Sequence, residues 1–548
     1  MKIPPFAVVV LLGIAVTPFR SGGAEPVALL ESLGSHTRKI TTDVPEAQRY
    51  FDQGLRLVFG FNHGGAIRSF QEAARLDPQC AMAHWGIALA SGPHINFPVV
   101  PPPAAELAWQ ELALAQAATH ASPVERALIE ALSHRYSSPQ PENRGPLDQA
   151  YADAMRKVWQ AYPGDADVGA FFAEAMMDLR PWDQWTPEGQ PQPGTDEILT
   201  TLEAVLKLDL QHPFANHLYI HAVEASPHPE RALAAADRLL NLQPGLAHNV
   251  HMPSHIYIRV GRWHDAIDSN LKAVAADRAY RQAAGPPKGF LPVYIAHNEH
   301  MLAYAAMMTG ESALSLQHIR ALVAGLPAEF MQEFSSIAEA WLAMPLEVLV
   351  RFGRWDDILA EPDHAATEPF THAFQYAARA IAFAAKGDPA AARREQTLYF
   401  AAARAVPADE LAAGNNSCQA VLGIVTPMLE GELLVREGRV DEGLTQLRAA
   451  VQAEDALRYD EPPGWLIPVR HSLGAALMAN HRYAEAEQVY RDDLARLPAN
   501  GWSLFGLGEA LVQEHKTGEA MVVRSQFKKI WNKADVSISS SCLCQPGG

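Results

Sequence analysis

A spacing of 34 residues recurs along this chain. Gly474, Leu477 and Ala486 reappear as Gly508, Leu511 and Ala520, each 34 positions on, with Tyr490 and Pro498 completing the first of these copies. Near the other end Gly54, Ala66, Phe70, Ala73 and Pro78 take the same places. A period of this size, with small and apolar residues at helical intervals, describes a helix-turn-helix unit. One such unit cannot bury its apolar face alone, so copies must stack, and the product is a superhelix rather than a row of globular domains. Further copies are anchored by Ala232 with Pro244, by Ala266, by Gly310 with Pro327, and by Gly431, Leu434 and Ala450. The strings Gly261-Arg262-Trp263, Gly353-Arg354-Trp355 and Gly438-Arg439-Val440 mark turns between the two helices of a unit.

The pattern resembles the tetratricopeptide repeat (TPR), in which small residues let helices A and B pack closely and a proline ends the unit. The resemblance runs from about residue 45 to 530 and is patchy over 85–210 and 330–415. Helical patterning persists there, as in 106–119 and 146–162, while the Pro-rich stretches 98–103 and 181–193 read as loops. The expected fold class is all-α, a TPR-type α-solenoid of stacked helix-turn-helix pairs. The resemblance implies a right-handed superhelix whose concave face, lined by A helices, binds a protein or peptide. The expected segments are a signal peptide (1–24), N-terminal repeats with insertions (25–210), central repeats (211–330), C-terminal repeats (331–532) and a Ser/Cys tail (533–548).

Histidines concentrate in the central copies. His217/His221 and His251/His255 are i, i+4 pairs, and His248/His251 and His297/His300 are i, i+3 pairs. Such pairs share one helix face with Cβ atoms about 5–6 Å apart, close enough for two imidazoles to converge on one ion. Packed helices lie about 8–10 Å apart, so imidazoles of neighbouring copies can meet in the gap. In the TPR register, with copies beginning near Pro213, Ala247 and Ala296, all seven of these histidines fall on the groove-facing positions. Glu224 follows His221 by three residues and suits a metal ligand, an acceptor that orients an imidazole, or a general base. Tyr304 occupies the next such column position as a proton donor or redox-active group. The first copy places Gln48, Phe51, Leu55 and Val58 in those columns, none of them histidine. This contrast favours a local site over a uniform peptide groove.

Imidazole suits zinc, copper, iron and nickel; an exported setting points to copper or zinc, with iron also open. Other residues carry smaller expectations. Asn62 is placed to cap helix B of the first copy, His94 and Asn96 sit in a loop able to close over the groove, Asn216 and Asn298 could orient neighbouring histidines, and the 174–185 segment reads as packing. The strings Phe61-Asn62-His63, 216–221 and 251–255 look like those of exported bacterial TPR proteins with no assigned activity.

Composition and remaining motifs narrow the partners. A net charge of −18 repels a phosphate backbone, so nucleic acid is not an expected partner. Lys2, the apolar run 6–16, Pro18 and the small residues Gly22, Gly23 and Ala24 read as a cleavable secretory signal, implying a periplasmic or secreted protein. No later apolar run approaches the length of a membrane span, so none is expected once the signal is removed. Of four cysteines, Cys542 and Cys544 lie in the tail, where export favours oxidation to each other or to another partner. No phosphate loop, dinucleotide fingerprint, H-E-x-x-H string or nucleophile elbow is present, so no nucleotide cofactor is expected. Three readings stand: a metal-holding interaction solenoid, a metal-dependent enzyme on the same histidines, and a metal-free scaffold.

Overall fold

The computed structural model describes residues 27–412 and 414–544, so the signal-peptide segment lies outside the described residues. Consecutive α-helices pack antiparallel along almost the whole chain, and the described residues form no β-strand beyond three isolated bridges. The helices expected over 106–119 and 146–162 are present as Pro102–Ala117 and Gly145–Ala161, and 181–193 is a loop. Of the central copies, two begin where the register places them, at Pro213 and Ala247. The third begins at Leu291, five residues earlier than the expected Ala296.

One turn recurs between A and B helices. Its penultimate residue is left-handed: Phe61, Gly261, Gly310, Gly353, Gly387, Gly438, His481 and His515 all have φ between 53° and 83°. The following N–H donates back to a carbonyl five residues earlier, as Asn62 to Leu57 (2.9 Å), Arg262 to Tyr257 (2.7 Å) and Arg482 to Leu477 (2.9 Å). This ending satisfies carbonyls the helix leaves unpaired and reverses the chain in few residues. Glycine suits it because a Cβ is strained at positive φ, and Phe61, His481 and His515 take that position without it.

Close packing explains the repeat's glycines. A Cβ on Gly54 or Gly86 would lie 2.5 or 2.7 Å from the Phe70 ring, and on Gly474 or Gly506 it would lie 2.4 or 2.2 Å from Tyr490. Each B-helix aromatic is therefore held between glycines of the preceding and following A helices.

The superhelix curls until its ends meet its middle. Trp502 Nε1 donates to Met307 O (2.7 Å), Trp263 Nε1 to Pro498 O (2.8 Å), and at the other end Gly245 N donates to Ser32 O (2.7 Å). The tail runs inside the C-terminal repeats: Arg351 donates to Ser541 O (3.0 Å), Tyr490 and Ser541 share a hydrogen bond (2.7 Å), and Cys542 is bonded to Cys544. Cys80 and Cys418 are free and buried. One expectation needs correction: the 19-residue helix Cys418–Arg436 is long and apolar enough to cross a membrane, although 67% of its apolar window is buried against neighbouring helices.

Candidate metal centre

Six of the seven expected histidines meet in two triads. His217, His221 and His248 offer ligand nitrogens all within 4.8 Å of one another, and His251, His255 and His297 form a second such group. The helices Pro213–Glu224, Ala247–His251, Pro253–Arg259 and Leu291–Thr309 supply them. Pro253 has no N–H, so the second A helix breaks there, and His255 N turns instead to Met252 O (3.2 Å). Across that break His251 Nε2 and His255 Nε2 stand 2.7 Å apart, with His297 Nε2 3.3 Å from His255 Nε2.

Acceptors behind the rings fix their tautomers. His217 Nδ1 faces Phe59 O (2.7 Å), which can only accept, so Nδ1 carries the hydrogen. His251 Nδ1 donates to Asn270 Oδ1 (2.6 Å), an orientation set because Asn270 Nδ2 donates to Ala266 O (2.8 Å). Glu224 accepts from both triads, Oε1 from His221 Nδ1 (2.7 Å) and Oε2 from His255 Nδ1 (2.5 Å). His217, His221, His251 and His255 thus turn their Nε2 atoms away from these acceptors, and the Nε2 atoms of His217 and His221, with both nitrogens of His248, are buried without a hydrogen-bond partner. A donor to a carboxylate or carbonyl behind a ring that presents the other nitrogen is the arrangement metal-bound histidines use.

The electrostatics agree. Burial pushes His217, His248, His251 and His297 well below the ordinary histidine value, and repulsion among the imidazoles pushes the same way. His221 is also lowered by burial, against the pull of Glu224. Burial would lower His255 too, but Glu224 more than compensates, and His255 alone of the six is raised. Burial would raise Glu224, yet His255 and His221 hold it at about 2.

Several expected residues lie elsewhere. His300 joins neither triad; it is buried with Nε2 unpartnered, and burial lowers it to about 3. The Tyr304 hydroxyl is buried without a partner and its ring packs edge-on to Trp263 at 5.9 Å, and no ring contact joins it to the six histidines. Asn216 bonds Leu210 O, His212 O and Arg238, and Asn298 donates to Asp277, so neither orients a cluster histidine. Asn62 caps its helix as expected, accepting from Gly65 N (3.0 Å).

Of the lid, the sequence offered the loop of His94 and Asn96, and it missed Phe61 and Trp182. Phe61, the left-handed residue of the first turn, stacks on His94 (4.6 Å) and contacts His217 (4.6 Å) and His248 (5.6 Å). Its place at a left-handed position where five of the eight turns carry glycine was the available signal. Trp182 meets His221 edge-on at 5.4 Å while its Nε1 donates to Asn96 (3.0 Å), so the 174–185 segment both packs and covers the cluster. His248 also contacts the ring of Tyr294 at 4.4 Å. The expected open groove is here an interior: His217, His221, His248, His251 and His255 are at most 5% exposed, and only His297 is half-buried.

No family model matches the chain, and no curated protein does. Similar solved structures, all TPR-repeat proteins, include yeast Tom70 (12% identity, 89% of this chain and 93% of that one, TM-score 0.31). A human IFIT1 dimer with m7Gppp-AAAA matches at 11% identity over 90% of this chain and 91% of its own, with TM-score 0.32. The Cut9–Hcn1 hetero-tetramer of the APC/C matches at 11% over 88% and 73%, with TM-score 0.30. Likeness of that degree says nothing of the site, and the architecture rests on the chain's own recurring turns and glycine-aromatic packing. The fold is a TPR-type α-solenoid.

Proposed function

We propose that this solenoid is an exported metal-binding protein whose central repeats hold a first-row transition metal, copper or zinc ahead of iron, on the two histidine triads. The observation that carries this reading is that His217, His221 and His248, whose ligand nitrogens gather within 4.8 Å, carry buried nitrogens without partners, Nε2 on the first two and both on the third. Buried polar atoms without partners are uncommon and call for an explanation, and three that face one another are explained by a cation. Glu224, with both oxygens committed to imidazoles, serves as the positioning carboxylate rather than as a free base. The bonded Cys542–Cys544 pair supports export, since disulfides persist in oxidising compartments.

The metal-free reading, in which groove histidines hold an extended peptide, loses support from their burial beneath Phe61 and Trp182. The enzymatic reading has one observation in its favour, the partial exposure of His297, which leaves the second triad a side toward solvent.

The test is elemental analysis of tag-free protein purified from the periplasm, beside His251→Ala/His255→Ala that retains its far-UV dichroism. The expected result is near-stoichiometric metal that falls in the variant. Metal below a tenth of an equivalent, before and after reconstitution with copper, zinc and iron, would refute the reading.

A further inference from the structure

The two triads share no residue. Within the first, ring centroids are 5.0 Å (His217–His221), 4.9 Å (His217–His248) and 6.2 Å (His221–His248) apart, and within the second they are 4.7, 4.5 and 5.4 Å. The closest approaches between triads, His221–His255 and His248–His251, are 5.8 and 5.9 Å. Each triad also has its own backing: Phe59 O and Glu224 Oε1 for the first, Asn270 and Glu224 Oε2 for the second. Zinc–imidazole bonds of about 2.0–2.1 Å in tetrahedral geometry put ligand nitrogens about 3.3 Å apart. The second triad, at 2.7 and 3.3 Å, is already as compact as one ion requires without any nitrogen of the first.

Resting on the metal reading above, we infer that the cluster is a dinuclear centre, with one ion in His217/His221/His248 and a second in His251/His255/His297. Glu224 is the carboxylate both share, one oxygen behind a ligand of each, so it orients the two sites together. Three protein ligands per ion leave a coordination position open in each site, the pattern of catalytic and exchangeable sites rather than closed structural ones. Six neutral imidazoles and one carboxylate also leave two divalent ions with a surplus of three positive charges in a buried place. A small anion of the hydroxide class, bound at the open positions, reduces that surplus.

The test is zinc stoichiometry by competition with a chromophoric chelator, on the full mature chain, His248→Ala and His297→Ala, each checked by far-UV dichroism and gel filtration. Two equivalents in the wild type and one in each variant are expected. One equivalent in the wild type, or loss of both ions in either folded variant, would overturn the dinuclear centre while leaving the metal reading intact; no bound zinc or copper at all would overturn both. Copper(II) electron paramagnetic resonance of the wild type needs no variant. Two loaded ions are expected to give a coupled, broadened or silent signal that becomes that of an isolated ion at one equivalent, whereas an isolated-ion signal at full loading would overturn the proposal.

Discussion

Replacing Glu224 by glutamine tests the logic of the centre most sharply, because the change keeps shape and removes one acceptor. Glu224 receives an N–H from His221 at 2.7 Å and from His255 at 2.5 Å, each a charge-assisted bond of roughly 1.5–3 kcal/mol. A glutamine oxygen can accept from only one ring, and its NH2 then faces the other ring's Nδ1–H. That ring relieves the clash by moving its proton to Nε2, the atom that faces the ion. Disturbing an orienting partner of this kind costs about 10–100-fold in metal affinity, or about 1.4–2.7 kcal/mol. The loss should fall on one triad, with the other changed less than about threefold, because Phe59 O and Asn270 still hold His217 and His251. Chelator competition at pH 7.5 reads the affinities, and nitrogen-15 histidine spectra of the metal-free protein read the tautomers. Unchanged affinity at every site, or Nδ1–H retained on both His221 and His255, would refute the argument.

Three further outcomes are expected. His300→Leu should leave metal content unchanged, as His300 stands outside both triads, and should hold or raise stability by about 1 kcal/mol because a buried unpartnered nitrogen is removed; lost metal would show that His300 is a ligand. Gly506→Ala puts a methyl 2.2 Å from Tyr490 Cζ and should cost about 1–3 kcal/mol in urea denaturation, with Gly423→Ala, where nothing lies within 4 Å, as the control that does not. Burial pushes Glu347 up to about 8 from 4.5 although it accepts from Leu466 N (2.9 Å), so between those values the native state keeps a proton that the unfolded chain has lost. Stability should therefore fall as pH rises through that window, by about 1.4 kcal/mol per pH unit from this group. Glu347→Gln should equal the wild type near pH 4.5 and exceed it at pH 8; equal pH slopes would show the group is not perturbed.

What the sequence determined is periodic. The 34-residue spacing of glycines, alanines and aromatics expresses contacts that every unit makes with its neighbours, so the helix pairs and the Gly-Arg-Trp turns could be read locally. The same periodicity placed six histidines and Glu224 together, because i, i+4 pairs on adjacent A helices must share a face. Tertiary structure alone divided the six into two groups, since that depends on the helix break at Pro253 and on which acceptor stands behind each ring. It also separated His300 from its i, i+3 neighbour His297, and it buried a site expected to line an open groove. The covering residues Phe61 and Trp182 are 39 to 187 positions from the histidines they touch, and His94 stacks on Phe61. Their approach comes from the curl of the superhelix, which no window of local sequence contains.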